Sequence, residues 1–205
     1  MKNIIQLSIL SLKRRVKEFR SKKLIKKLLV KNKIYLEIGA GNKAGKNGWT
    51  TIDMTENCDI FWDLRKGIPF PNESVSKIYS SHFMEHLSYN EGQKFLNECF
   101  RVLMPGGLFS ICVPNAKIYI EAYINSTINL SKYCRYQPAY NNTTKIDYIN
   151  YTAYMDGHHK YMFDEENLLH ILNSKGFKKV HLRDFDCNLD IIERDYESIY
   201  AVGFK

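Results

Sequence analysis

Histidine, aspartate and glycine stand in this chain where they can do chemistry together. Histidine is the side chain that exchanges a proton near neutral pH. His82 falls in the run Ser80-Ser81-His82-Phe83-Met84-Glu85-His86-Leu87, directly after an apolar stretch, and His158-His159 follows much later. Asp53 and Asp63 each close a short apolar run. An acid at a strand end can accept hydrogen bonds from ligand hydroxyls, as it does from ribose in dinucleotide folds. Gly39-Ala40-Gly41 follows the apolar run Ile34–Ile38. A turn built without Cβ atoms lets a ligand approach the backbone. Each residue also has a plainer reading. Asp53 and Asp63 can be turn acids, and Ser80 and Ser81 strand ends. Glu85 and His86 can cap or pair with the next segment, and His158 and His159 can pack a loop. Taken in order along the chain, the features favour a ligand site. No set of His, Cys, Asp and Glu has convincing metal-ligand spacing, so a metal-independent reaction is expected. The five cysteines are odd in number and widely spaced, with no C-x-x-C pair. That argues against a disulfide framework or zinc site and fits a reducing cytoplasm.

The elements that must position these residues alternate. Ile34–Ile38, Thr50–Asp53, Asp59–Asp63 and Ser76–Ser81 read as strands. A helix is expected over about Asn90–Leu103, with Phe95, Leu96, Cys99, Phe100 and Leu103 as its buried stripe. Pro105-Gly106-Gly107 should stop it, and Leu108–Val113 forms a fifth strand. Such repeated units imply a parallel α/β sheet. Residues 114–157 break the pattern and are rich in tyrosine: Tyr119, Tyr123, Tyr133, Tyr136, Tyr140, Tyr148, Tyr151 and Tyr154. A stretch this long without evident structure is usually a lid or binding loop. Asp164 then caps a helix carrying Leu168, Leu169, Ile171 and Leu172, closed by Gly176. Lys179–Arg183 and Ser198–Phe204 read as two last strands.

Charge divides the chain. Residues 1–33 hold twelve Lys and Arg against Glu18, while the remainder holds 18 basic and 21 acidic residues. Residues 1–32 read as a basic helical arm, with an apolar stripe at Ile5, Ile9, Leu12, Val16 and Phe19 and a second set at Leu24, Ile25, Leu28 and Leu29. Such an arm can dock on the domain or lie on an anionic membrane surface. Its apolar stretch is interrupted and lacks a cleavage site, so a secretory signal is not expected. The expected location is the cytoplasm, with peripheral contact at the inner membrane face through residues 1–33. Residues 33–205 form the body.

At Glu37-Ile38-Gly39-Ala40-Gly41 the sequence resembles motif I of the class I S-adenosylmethionine-dependent methyltransferases, of the small-molecule type (methyltransferase type 11-like). Asp53, Asp63, the Ser80–Leu87 run and Arg101-Val102-Leu103-Met104-Pro105-Gly106-Gly107 match further motifs in the expected order. The resemblance implies a Rossmann-like sheet, mostly parallel with an antiparallel last strand, flanked by helices. It implies S-adenosylmethionine as cofactor, held by Glu37, Ile38, Gly39, Ala40, Gly41, Asp53, Met54, Asp63, Leu64, Ser81 and His82. Asp53 would meet the ribose hydroxyls, Asp63 the adenine amino group and His82 the methyl end. Two departures stand out. Lys43 replaces the usual third glycine, and only about a dozen residues separate Gly41 from Asp53. A crossover with its helix takes about 10–12 residues at the least, so the first helix is a stub or absent. That also argues against NAD, whose pyrophosphate requires that helix end.

Methyl transfer from a sulfonium needs chiefly alignment. An oxygen or nitrogen acceptor also needs a proton removed, for which His82 is the first candidate and His159 the second. The resemblance suggests a small-molecule or saccharide acceptor, including a lipid-linked one, between the cofactor and residues 114–157. Three alternatives remain. One is a cofactor-binding protein without catalysis. Another is a nucleic-acid methyltransferase, disfavoured by the net-negative body and by the absence of an Asn/Asp-Pro-Pro-aromatic motif. The third is another nucleotide enzyme such as a dehydrogenase.

Overall fold

The structure is a computed structural model that describes residues 2–125, 134 and 144–205, with side chains described from residue 11 onward. Alternation of buried and half-buried residues fixes the first strand, β1 (Tyr35–Ile38), with Leu36 and Ile38 fully buried. β2 (Trp49–Asp53), β3 (Ile60–Phe61), β4 (Val75–Ser81) and β5 (Leu103–Pro114) follow. β6 (Lys178–Leu182) and β7 (Ser198–Phe204) complete one seven-stranded sheet in the order β3-β2-β1-β4-β5-β7-β6. β1 through β5 run parallel, and β7 is antiparallel to both neighbours, β5 and β6. This is the expected α/β sheet. The order reverses between β1 and β4, and in such sheets ligands bind outside the carboxyl ends at this switch.

Helices α1 (Lys2–Leu28), α2 (Tyr89–Val102), α3 (Ala116–Asn125), α4 (Ile146–Tyr154) and α5 (Glu165–Ser174) connect and flank the strands. α2 starts with a reciprocal capping box. Glu91 N–H donates to the Ser88 hydroxyl, and Ser88 N–H donates to the Glu91 carboxylate. Its stripe of Phe95, Leu96, Cys99 and Val102 is buried. Asp164 caps α5 as expected, accepting from Asn167 N–H at 2.8 Å.

Two local expectations change. Pro105-Gly106-Gly107 does not end α2. The helix stops at Val102, and β5 already begins at Leu103. The Pro-Gly-Gly run lies inside the strand, where pairing jumps from Val75–Leu103 to Lys77–Leu108. An irregularity of that kind suits residues that cannot hold a ladder. Residues 114–157 contain α3 and α4, and Tyr119, Ala122, Cys134 and Tyr151 form a separate small core there. Tyr133, Tyr136 and Tyr140 lie outside the described residues.

The shortened first crossover holds. No helix lies between β1 and β2. The Asp59 carboxylate ties the loop down instead, accepting from the N–H groups of Gly45 and Thr51, each at 2.9 Å.

Among residues 11–28 of α1, the buried apolar contacts lie at its C-terminal end. Ile25 and Leu28 belong to the main core with Leu24 packed against it, and the buried Ser21 hydroxyl accepts from Phe61 N–H at 2.9 Å. Leu12, Val16 and Phe19 are exposed. At about 100° per residue, the Leu12–Phe19 set and the Ser21–Leu28 set point to opposite sides of the helix. Docking by the second set therefore turns the first away from the domain.

Candidate functional site

The carboxyl ends of the central strands form a continuous edge. Gly39 and Gly41 both have positive φ, +69° and +67°, which only glycine adopts without strain. A Cβ on Gly39 would lie 2.2 Å from the Phe83 ring, whereas at Gly41 nothing lies within 4 Å. The turn is thus sealed at Gly39 and open at Gly41. Asp53, at the end of β2, holds the turn. One carboxylate oxygen accepts from Gly41 N–H at 2.9 Å, and the other accepts from Met54 N–H at 2.6 Å. Each oxygen retains a lone pair for a ligand. Lys43, standing at the third glycine position, places its ammonium against the Glu37 carboxylate. Burial pushes the Glu37 carboxyl up, against the pull of Lys43. Ile38 is buried in the sheet and Ala40 half-buried in the turn.

Further along the edge, Met54 and Asp63 share a cavity of 200 Å³ with Phe61, Trp62 and Lys66. Arg14, Glu18 and Lys22 of α1 form its other wall. Asp63 caps the short turn Leu64–Lys66 and ion-pairs with Arg65 at 2.9 Å. The Arg65 side chain faces solvent, so this pair breaks at little cost. Leu64 is half-buried against the main core.

Beyond β4 the edge opens into a larger cavity of 510 Å³. Its floor is the turn after β4, with His82, Glu85 and His86, and its far wall is the turn Ile192–Glu197. Tyr119 of α3 and Tyr151 and Thr152 of α4 form the roof, and His158 and His159 close one side. Tyr119 donates to Glu197 at 2.7 Å and stacks on Tyr151, which fixes roof to wall. Ser81 is half-buried at the end of β4, beside His82.

The histidines differ in charge. His82 has a left-handed backbone (φ +48°) and a side chain only 5 % exposed. Its Nδ1 is 3.4 Å from Glu85 Oε1, and its Nε2 is 2.9 Å from the Ser198 hydroxyl. Burial would push its pKa down, but Cys112 and the Glu85 carboxylate carry it up to about 9. At neutral pH the ring is charged and both nitrogens are engaged. That speaks against His82 as a base. His159 is the reverse. Burial pushes its pKa down, so the ring is neutral, and its Nδ1 faces the Thr152 carbonyl at 2.9 Å. The proton therefore sits on Nδ1 and the lone pair on Nε2.

Spacing along the sequence marked no metal-ligand set. The fold brings Glu85, His86 and His159 together, with one ligand atom of each within 4.8 Å of the others. Glu193, Arg194, Tyr196 and Glu197 were also missed. They sit in an irregular turn before β7, where no periodicity marks them.

Residues 54–111 match the family model described as a methyltransferase domain. A probable S-adenosylmethionine-dependent methyltransferase of Mycolicibacterium smegmatis is 42% identical over 57 residues, 26% of this chain and 21% of that protein. The match thus spans about a fifth of the relative's length. A crystal structure of a SAM-dependent methyltransferase from Archaeoglobus fulgidus superposes with a TM-score of 0.52 at 18% identity, covering 94% of each chain. The 1,6-didemethyltoxoflavin-N1-methyltransferase of Burkholderia thailandensis, crystallised with that substrate and S-adenosylhomocysteine, gives 0.53 at 13% identity, over 90% of this chain and 76% of that one. The chain thus has the Rossmann-like fold of class I methyltransferases, and its residues 54–111 match the methyltransferase domain family.

Proposed function

We propose that this protein binds S-adenosylmethionine along the edge from Asp63 to His82 and transfers its methyl group to a small acceptor in the 510 Å³ cavity. One observation carries the reading. The open glycine turn, the acid ending β2 and the cavity at β4 lie in the order of the cofactor's own parts, at the switch of the sheet. Asp53 accepts from the ribose hydroxyls through its remaining lone pairs. Met54, Asp63 and Leu64 bound the adenine. Glu37 takes the cofactor's ammonium in place of Lys43. Ile38, Gly39, Ala40 and Gly41 give it backbone to lie on, with Ser81 and His82 at the methyl end.

When bound, the cofactor supplies an electrophilic methyl group on a good leaving group. The chain's own contribution is to hold acceptor and methyl in line and keep water out. The roof formed by Tyr119 and Tyr151 serves exclusion. His82, charged and held by Glu85, is a positioning residue. The neutral ring of His159 presents its nitrogen to the acceptor. Calorimetric titration with S-adenosylmethionine and S-adenosylhomocysteine tests the reading. Micromolar binding is expected, and absence of binding to both overturns it.

The exposed Leu12, Val16 and Phe19 lie among Lys13, Arg15 and Arg20, while Arg14 and Lys17 face the domain. This supports peripheral contact of α1 with an anionic membrane and an acceptor presented there. Liposomes containing anionic lipid should bind the full chain and lose a variant with Leu12, Val16 and Phe19 changed to Ser. Equal binding of the two sinks this part.

A further inference from the structure

The floor of the acceptor cavity holds an arrangement that methyl transfer does not require. Glu85 is 2 % exposed, and its Oε2 accepts no hydrogen bond from the described residues. A buried carboxylate oxygen left in that state is costly and calls for a partner. His82 holds the other oxygen, Oε1. His86 Nδ1 lies 3.0 Å from the His158 carbonyl, and His159 Nδ1 lies 2.9 Å from the Thr152 carbonyl. A carbonyl only accepts, so both rings are protonated on Nδ1 and turn an Nε2 lone pair away from it. Histidines that bind metals are commonly fixed this way, the second nitrogen bonded to a backbone carbonyl. The two rings meet edge-on with centroids 5.1 Å apart, and His86 Nε2 lies 3.9 Å from Glu85 Oε1.

We infer that Glu85, His86 and His159 form a binding site for a first-row divalent metal ion, with Zn²⁺ the ion that best suits two imidazoles and one carboxylate. Their ligand atoms lie within 4.8 Å of one another. Ligands at about 2.0–2.2 Å in a tetrahedron around Zn²⁺ are about 3.4 Å apart. Side-chain adjustments of about an ångström close that gap. His82 orients the carboxylate from behind. Three protein ligands leave a fourth position, which faces the cavity, as in metal sites that act on substrates.

The acceptor class follows, and this part rests on the proposed methyl transfer. A hydroxyl is an acceptor group that such an ion can both hold at its open position and activate, so the acceptor we infer is one that carries a hydroxyl. With the ion in place, His159 Nε2 is its ligand and no longer acts on the acceptor, and the bound hydroxyl, its pKa lowered by the ion, releases its proton to solvent. Its oxygen then forms the bond to the methyl carbon. The carbon–sulfur bond breaks with its electron pair going to sulfur, which leaves S-adenosylhomocysteine and the methyl ether.

Zn²⁺ titrated by calorimetry into untagged, chelator-stripped full-length protein tests the site. One equivalent should bind at micromolar Kd or tighter. H86A and H159A should each weaken it at least tenfold, whereas H170A, at an exposed helix position, should not. Co²⁺ added to the unaltered protein should give visible absorption bands of a four- or five-coordinate ion, independent of how any variant folds. No Zn²⁺ binding, or binding unchanged in the H86A/H159A double variant, overturns the site. S-adenosylhomocysteine titrated into the same samples separates the two proposals. Its binding without Zn²⁺ binding refutes the metal site alone. Zn²⁺ binding without it supports the site and refutes the methyl-transfer reading.

Discussion

The two ends of the groove are held by different kinds of interaction. At the end built on β1, β2 and β3, the fixing contacts are backbone N–H groups on carboxylates close in sequence. Asp53 reaches Gly41 and Asp59 reaches Gly45 and Thr51, all within fifteen residues. At the end beyond β4 and β5, the fixing contacts are side chains far apart in the chain. Tyr119 meets Glu197, and His82 meets Ser198. The turn of the far wall is carried by a loop that Asp190 ties to Arg183, with Tyr79 donating to the same carboxylate at 2.8 Å. A cofactor common to many enzymes can be met by local backbone geometry. An acceptor particular to one enzyme needs a cavity assembled by the tertiary fold.

The largest expected effect falls on the side-chain end. The Asp190 side chain is 1 % exposed, and Arg183 is its ion-pair partner. Asp190→Asn should cost about 3 kcal/mol, because it leaves a largely buried guanidinium without its counter-charge. Burial would raise the Asp190 pKa, but Arg183, the Asp186 N–H and Tyr79 hold it below the usual range. Its contribution is complete above the ordinary carboxylate pKa near 3.9 and disappears as pH falls through the lower folded-state value. Urea unfolding from pH 6 down to pH 2 should show this acid loss in the parent and not in the variant.

Next comes the backbone end. Gly39→Ala combines a left-handed φ with a collision against Phe83. A cost of about 2–4 kcal/mol is expected, which lowers the melting temperature by about 5–15 °C. Melting within a degree of the parent would show that the turn is looser than drawn. Asp53→Ala should weaken S-adenosylhomocysteine about 10- to 100-fold, as loss of hydrogen bonds to a charged acceptor does. Acceptor affinity should be unchanged. The smallest effect is Tyr119→Phe, worth about 1 kcal/mol. It should raise the acceptor KM about fivefold and leave cofactor affinity alone. If it moved cofactor affinity instead, the two ends would not be separable.

The same contrast decides how much the sequence revealed. The glycine turn, Asp53, Asp63 and the strand pattern are local, and residue type with spacing suffices to find them. The missing first helix was also legible, because the eleven residues between Gly41 and Asp53 must also supply β2, which leaves too few for a crossover helix and its turns. The acceptor end was not. Glu85 and His86 are adjacent in the chain, but His159 reaches them only through the fold, and Glu197 joins by way of β7. What the sequence does not display around His82 is its electrostatic setting, since Cys112 and the buried Glu85, both brought to it by the fold, favour the charged ring. The available signal was the pair Glu85-His86 recurring against His158-His159 in a chain of six histidines. The arm was legible as helix, but its two apolar sets face opposite ways, which a list of apolar positions conceals.

The place of β7 governs the order in which the sheet can be completed during synthesis. Among the described residues β6 pairs only with β7, and β7 is inserted between β5 and β6. β6 therefore leaves the ribosome before its partner exists. At about 5–20 residues per second, the interval between Leu182 and Phe204 lasts roughly one to four seconds. The sequence of β6, Lys-Lys-Val-His-Leu, suits that wait. Its lysines face solvent, and Lys179 takes a left-handed conformation where the register shifts. Charged, irregular strands resist pairing with other chains. The strand thus stays single while the nascent chain catches up, and it remains the charged outer edge of the sheet once β7 has closed beside it.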